Sequence, residues 1–193
     1  TLFALIKLLT IRRKDGSAGL FGIWCMKSGQ EHLLEEELSL HTIISSLPHF
    51  STTSVFEPRG ALTVNISNHK AIKTEYERIF IREFEVRRTE LEHMLKITSF
   101  EVVRYEGTNT FRGPIAEGPG DDETGGYKIL LKNKAGKNIA FLWMRGSKTE
   151  PVFRVMADIE GPDKKKEQYL LDWHVTMIRE AERRCRSEFT SGK

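Results

Sequence analysis

The chain has 193 residues, 39% of them hydrophobic and 30% charged, which is enough apolar material for one sizeable core or two small ones and excludes wholesale disorder. A net charge of +3 tolerates nucleic acid or an anionic membrane surface as partner without arguing for either. The two cysteines, Cys25 and Cys185, stand too far apart in sequence for a disulfide framework or a metal-ligand pattern, and such usage fits an intracellular compartment, cytoplasmic or nuclear.

The chain begins at Thr1 inside an apolar run, which reads as a piece cut from a longer protein. Leu2 to Leu9 is interrupted by Lys7 and is too short to span a bilayer, so no transmembrane segment is expected. Within it Leu2, Leu5, Ile6 and Leu9 share one helix face and form a candidate contact surface. Leu20 to Met26 reads as a short buried strand. Ser28-Gly29-Gln30-Glu31 fits a capping box opening a helix through Leu33, Leu34, Leu38, Ile44 and Leu47, which must stop near Pro48. Thr52 to Phe56 and Ala61 to Ile66 are β-rich around Glu57-Pro58-Arg59-Gly60, which predicts a hairpin. Residues 1–66 form the expected N-terminal subdomain.

Residues 67–193 form the second. Asn68 is a candidate N-cap for a long uninterrupted helix to Leu95, whose stripe is Ile72, Tyr76, Ile79, Phe80, Phe84, Leu91, Met94 and Leu95. Glu83 and Arg87, and Arg88 and Glu92, are spaced to pair on its solvated side. Ser99 to Tyr105 is a strand, followed by a long linker. Residues 113–126 (GPIAEGPGDDETGG) bury too little to offset backbone entropy and predict a mobile acidic loop. Tyr127 to Leu131 and Ile139 to Met144 pair as strands, turning through Asn133-Lys134-Ala135-Gly136-Lys137, and Pro151 opens another. Gly161-Pro162-Asp163 then leads into a last helix, Lys164 to about Phe189, with Leu170, Trp173, Met177, Ile178, Ala181 and Cys185 along its apolar side. Short connections favour antiparallel neighbours, so the expected fold class is α+β: an antiparallel sheet with long amphipathic helices on one face.

No catalytic constellation emerges. The six histidines make no HExxH pair, and His174, following Trp173, reads as a packed or solvated side chain. No phosphate-cradling glycine motif or nucleophile elbow occurs, and no metal or cofactor is expected. One enzymatic arrangement fits the element order, a metal-dependent nuclease in which Asp122 and Lys128 act with Glu83 or Glu92. On the last helix Arg179, Arg183 and Arg186 share a face able to contact phosphates of nucleic acid or acidic lipid, partly neutralised by Glu180, Glu182 and Glu188.

From Ala71 to Phe189 the order of a helix ending HMLKI, a strand EVVRY, the pair KILLKN and AFLWM, the strand PVFRVMADI and a closing helix resembles RWD-type domains. These are α+β docking platforms found, for instance, in inner-kinetochore subunits. The kinase-associated KA1 module, which binds acidic lipids, is similar in element order. The first resemblance implies a non-catalytic interaction module that docks protein subunits of a larger complex. The second implies contact with an anionic surface.

Overall fold

Where a strand is expected, LFGIWCM lies in a helix, α1 (Leu20–Ser28), in the computed structural model. A uniformly apolar run has no period to tell the two apart. Gly29, in the left-handed region at φ 70°, ends the helix, and the Gln30 N–H returns to the Cys25 carbonyl at 2.9 Å. Ser28 therefore closes a helix instead of opening one; its hydroxyl donates to the Cys25 carbonyl at 3.3 Å. A single 3-10 turn, Glu31–Leu34, follows. His41, Ile44 and Ser45 are helical, while Leu38 lies outside the described residues. Cys25 and Leu33 bury together against Trp24 and Leu34. Burial pushes the Cys25 thiol up, and both cysteines are free.

The structure describes residues 3, 7, 19–34, 41, 44–45, 47–54, 56–66, 68–115, 125–147 and 152–191. They divide into two compact units, Thr1–Pro48 and His49–Lys193. The candidate contact residues Leu2, Leu5, Ile6 and Leu9 lie outside the described residues, as do Asp122 and most of the acidic Gly/Pro segment.

The second unit is built on one seven-stranded antiparallel sheet. Its strands are β1 (Phe50–Thr52), β2 (Ala61–Thr63), β3 (Ser99–Glu106), β4 (Asn109–Arg112), β5 (Gly126–Lys132), β6 (Asn138–Gly146) and β7 (Val152–Glu160). The order is β1-β7-β6-β5-β3-β4, with β2 also on β7. Three helices accompany it: α2 (His69–Val86), α3 (Arg88–Leu95) and α4 (Lys164–Ser191).

The expected hairpin at 52–66 does not form. Phe50–Thr52 runs along Glu160 to Asp158, and Ala61–Thr63 runs the same way along Arg154 to Val152. The two are thus halves of one edge strand, interrupted by an excursion through the 3-10 turn Pro58–Gly60. Pro58 sits at the start of that turn, where its missing N–H costs nothing, and Arg59 pins it by bonding Glu57 (2.6 Å), Glu167 (2.8 Å) and Gln168 (2.7 Å). Residues 49–66, grouped by the sequence with the N-terminal segment, therefore belong to the sheet-bearing unit.

Asn68 is the N-cap expected, its side chain accepting the Ala71 N–H at 2.9 Å. The long helix is broken at Arg87 into α2 and α3. Glu83 and Arg87 pair at 3.5 Å, but Arg88 turns to Glu85 instead of Glu92. Ile72, Tyr76, Ile79, Phe80, Phe84, Leu91 and Leu95 all bury; Met94, at the edge of the stripe, is exposed. The C-terminal stripe Leu170, Trp173, Met177, Ile178, Ala181 and Cys185 buries entirely. Alternation in the strands does the rest. Tyr127, Ile129 and Leu131 of β5, Ala140, Leu142 and Met144 of β6, and Val155, Ala157 and Ile159 of β7 lie in register and join the helices in one core. The fold is α+β, with its helices on this one face of the sheet. A further strand, β4, lies within the stretch read as linker and pairs with β3 across the Gly107-Thr108 turn.

Candidate interaction site

Arg179, Arg183 and Arg186 do come together. With Asn65, Glu182 and Ser187 they line an open groove of about 550 Å³ beside the end of β2. Steps of three and four along α4 put these four charged side chains on one helix face. Glu182 is nearly inaccessible and organises the rest. It accepts the Asn65 backbone N–H (2.6 Å), a guanidinium N–H of Arg179 (3.0 Å) and one of Arg186 (2.8 Å). Burial raises its pKa, but these hydrogen bonds outweigh burial and hold the carboxyl below its usual range. Arg179 also donates to the Thr63 carbonyl at 2.6 Å. Arg183 is exposed and makes no ion pair among the described residues. Among the described side chains three guanidiniums face one carboxylate, leaving the groove with an excess of two positive charges.

Next to the groove the basic groups are paired with carboxylates. Arg184 bonds Glu75 at 2.9 Å and also Glu180, and Arg82 meets Glu180 at 3.3 Å. The positive field is therefore strongest at the groove.

The sheet's other face is a second surface. Lys128, Trp143 and Met156 lie in register across β5, β6 and β7, with Leu130, Phe141 and Asp158 in the next row. Leu130, Phe141, Trp143 and Met156 are half-buried. The Lys128 ammonium sits 3.8 Å from the centre of the Phe141 ring. Burial lowers its pKa against the opposing pull of Asp158. Burial raises that of Asp158, against the Thr52 hydroxyl hydrogen bond (2.5 Å) and Lys128. Gly126 allows close cover here: a Cβ there would lie 3.1 Å from the Trp143 Nε1.

Of the residues cast for a nuclease, Asp122 lies outside the described residues. Lys128 lies on this outer face, whereas Glu83 belongs to α2, on the opposite side of the sheet, and is occupied with Arg82 and Arg87. Among the described residues no three His, Cys, Asp or Glu side chains gather to hold a metal ion. None of their helices is long and apolar enough to cross a membrane.

Sequence reasoning missed the buried polar groups. Lys73 donates to the Gly125 carbonyl (2.8 Å), and Glu77, one turn on, accepts the Ile115 N–H (2.9 Å) and the Tyr127 hydroxyl (2.8 Å). Two side chains of α2 thus hold both flanks of the acidic segment. Glu167 accepts the Thr53 hydroxyl as well as Arg59. His174 bridges the Tyr76 hydroxyl (2.7 Å) and the Trp143 carbonyl (3.1 Å). Their signal was phase: Lys73 and Glu77 fall among the buried positions of α2, and Glu167, Leu171, His174, Ile178, Ala181 and Cys185 follow alternating steps of four and three. Charge at a stripe position marks a buried, satisfied group.

Compared with known protein families, curated proteins and solved structures, the chain matches none of them.

Proposed function

We propose that the unit His49–Lys193 is a non-catalytic docking module of a larger assembly and receives a protein partner on the outer face of its sheet. The observation that carries this reading is the in-register strip of half-exposed Leu130, Phe141, Trp143 and Met156. Aromatic and methionine side chains at the centre of a patch are what protein interfaces enrich. The likeness of the element order to RWD-type domains supports the same reading. Its test places a photo-crosslinking residue at position 141 of the full chain in its native cell and, as control, at position 78, exposed on α2. A protein captured from position 141 alone, and lost when Met156→Asp is added without change in melting, is expected. Equal capture from both positions overturns it. So does Mg²⁺-dependent turnover of nucleic acid that disappears in Lys128→Ala.

A specific observation favours a second reading, contact with an anionic partner: the doubly positive arginine groove on α4.

A further inference from the structure

We infer that the groove lined by Asn65, Arg179, Glu182, Arg183 and Arg186 is a recognition site for a phosphomonoester carried on a polypeptide, a phosphoserine or phosphothreonine of a partner segment. The inference rests on the anionic reading of this groove and is independent of docking on the sheet face.

Charge comes first. A phosphomonoester carries between about 1.5 and 2 negative charges at neutral pH, and the groove holds three guanidiniums against one carboxylate. Orientation comes second. Glu182 is buried and fixed by the Asn65 backbone N–H, and it grips Arg179 and Arg186 from below at 3.0 and 2.8 Å. Two guanidiniums are thereby held in place before any ligand arrives, so less side-chain entropy is lost on binding. Arg183, between them on the helix and without an ion pair among the described residues, is left to meet the anion directly. The opposing influence is the C-terminal end of α4 near by, equivalent to roughly half a negative charge; three guanidiniums outweigh it.

Extent decides the carrier. A duplex or a charged bilayer is gripped by an extended positive field. Here the adjoining Arg184, Arg82 and Arg78 are paired with Glu75 and Glu180, so the unpaired positive charge is concentrated at Arg183 and the groove. A concavity of about 550 Å³ is of the size that accepts a small group with its immediate neighbours. The fit is to one dianionic group on a narrow chain.

The experiment titrates the 15N-labelled 193-residue chain with N-acetylphosphoserine methylamide while following the arginine Nε–H resonances. Parallel titrations use the unphosphorylated amide, inorganic phosphate, and phosphatidylcholine vesicles with and without phosphatidic acid. The phosphoserine amide is expected to move the Arg183, Arg179 and Arg186 signals, to bind more tightly than inorganic phosphate, and to weaken as pH falls through about 6, where the phosphate loses its second charge. Arg183→Gln, which removes no ion pair, should weaken it about tenfold with the amide spectrum otherwise intact. Inorganic phosphate binding as tightly, or vesicles binding where the phosphoserine amide does not, would overturn the inference while leaving the anionic reading standing. No response to any anion, or a response unchanged in Arg183→Gln, defeats both.

Discussion

His174 lies wholly inside the core, and its two partners fix its protonation. The Trp143 carbonyl can only accept, so Nε2 carries the proton, and Nδ1 is the bare nitrogen that accepts from the Tyr76 hydroxyl. Adding a second proton would turn that hydroxyl away and place a cation in a dry site. Burial accordingly lowers the pKa from 6.5 to about 4, opposed by the hydrogen bond to Trp143. The unfolded chain therefore binds the proton more readily than the folded one between those two values, so stability is complete above pH 6.5 and falls as pH drops toward 4. At about 1.4 kcal/mol for each pH unit separating the folded and unfolded pKa values, the total is about 3 kcal/mol. Urea denaturation of the whole chain at intervals from pH 7.5 to 4.5 should show this slope, approaching one proton, in the wild type. His174→Gln offers an amide that can still donate to Trp143 but does not titrate. It should start from lower stability and show a slope shallower than the wild type's by up to one proton across the upper part of the window, where carboxylates do not yet contribute. Parallel curves for the two proteins, or an imidazole titrating near 6.5 in NMR, would refute the argument.

Three other outcomes follow from the packing. Glu77→Ala strands the Tyr127 hydroxyl and the Ile115 N–H inside the protein and should cost about 3–5 kcal/mol in urea unfolding, with early loss of hydrogen-exchange protection at Ile115. Gly146→Ala would set a Cβ 2.1 Å from Nδ1 of His69, a buried ring tilted against Phe153 at 4.9 Å between centres, so it should lower the urea midpoint by the equivalent of about 1–3 kcal/mol. Lys96 ends α3 at φ 62°, a conformation that glycine adopts without strain; Lys96→Gly should raise the thermal midpoint, corresponding to about 0.5–1 kcal/mol.

What the sequence revealed was periodicity. The stripes from Ile72 to Leu95 and from Leu170 to Cys185 bury as spaced, with Met94 the exception, and the β5–β6 pair turns where Asn133 to Lys137 says it should. Strand pairing was legible only where the partner is adjacent. Nothing local tells Phe50–Thr52 and Ala61–Thr63 that each will meet β7, about a hundred residues on, so their proximity suggests mutual pairing instead. The break at Arg87 has no proline or glycine to announce it. At the candidate site, helical spacing is enough to find Arg179, Arg183 and Arg186, because one element carries all three. The Asn65 contact that fixes Glu182 was invisible, because it joins residues from distant parts of the chain. The outer strip of the sheet was hidden for the same reason: Lys128, Trp143 and Met156 become neighbours only in register.

The buried polar groups divide the labour between the two faces of the sheet. On the helix side, Lys73 and Glu77 hold the flanks of the acidic segment, Glu167 and Arg59 hold the edge-strand excursion, and His174 ties α2 to α4 and β6. Each directs its hydrogen bonds to backbone or side chains that would otherwise be unsatisfied. On that side most buried polar groups are thus engaged within the fold, the Trp173 N–H being an exception. The outer face has fewer such ties: Asp158 holds Thr52, Lys128 is steadied by an aromatic ring, and Leu130, Phe141, Trp143 and Met156 stay half-buried. A platform with most polar groups engaged within, and half-exposed aromatics in register without, would lose little conformational freedom on receiving the proposed partner. The same logic holds at the groove, where the Glu182 carboxylate aims two arginines outward. At both surfaces part of the ordering is thus done ahead of binding, which would lower the conformational cost of receiving a partner there.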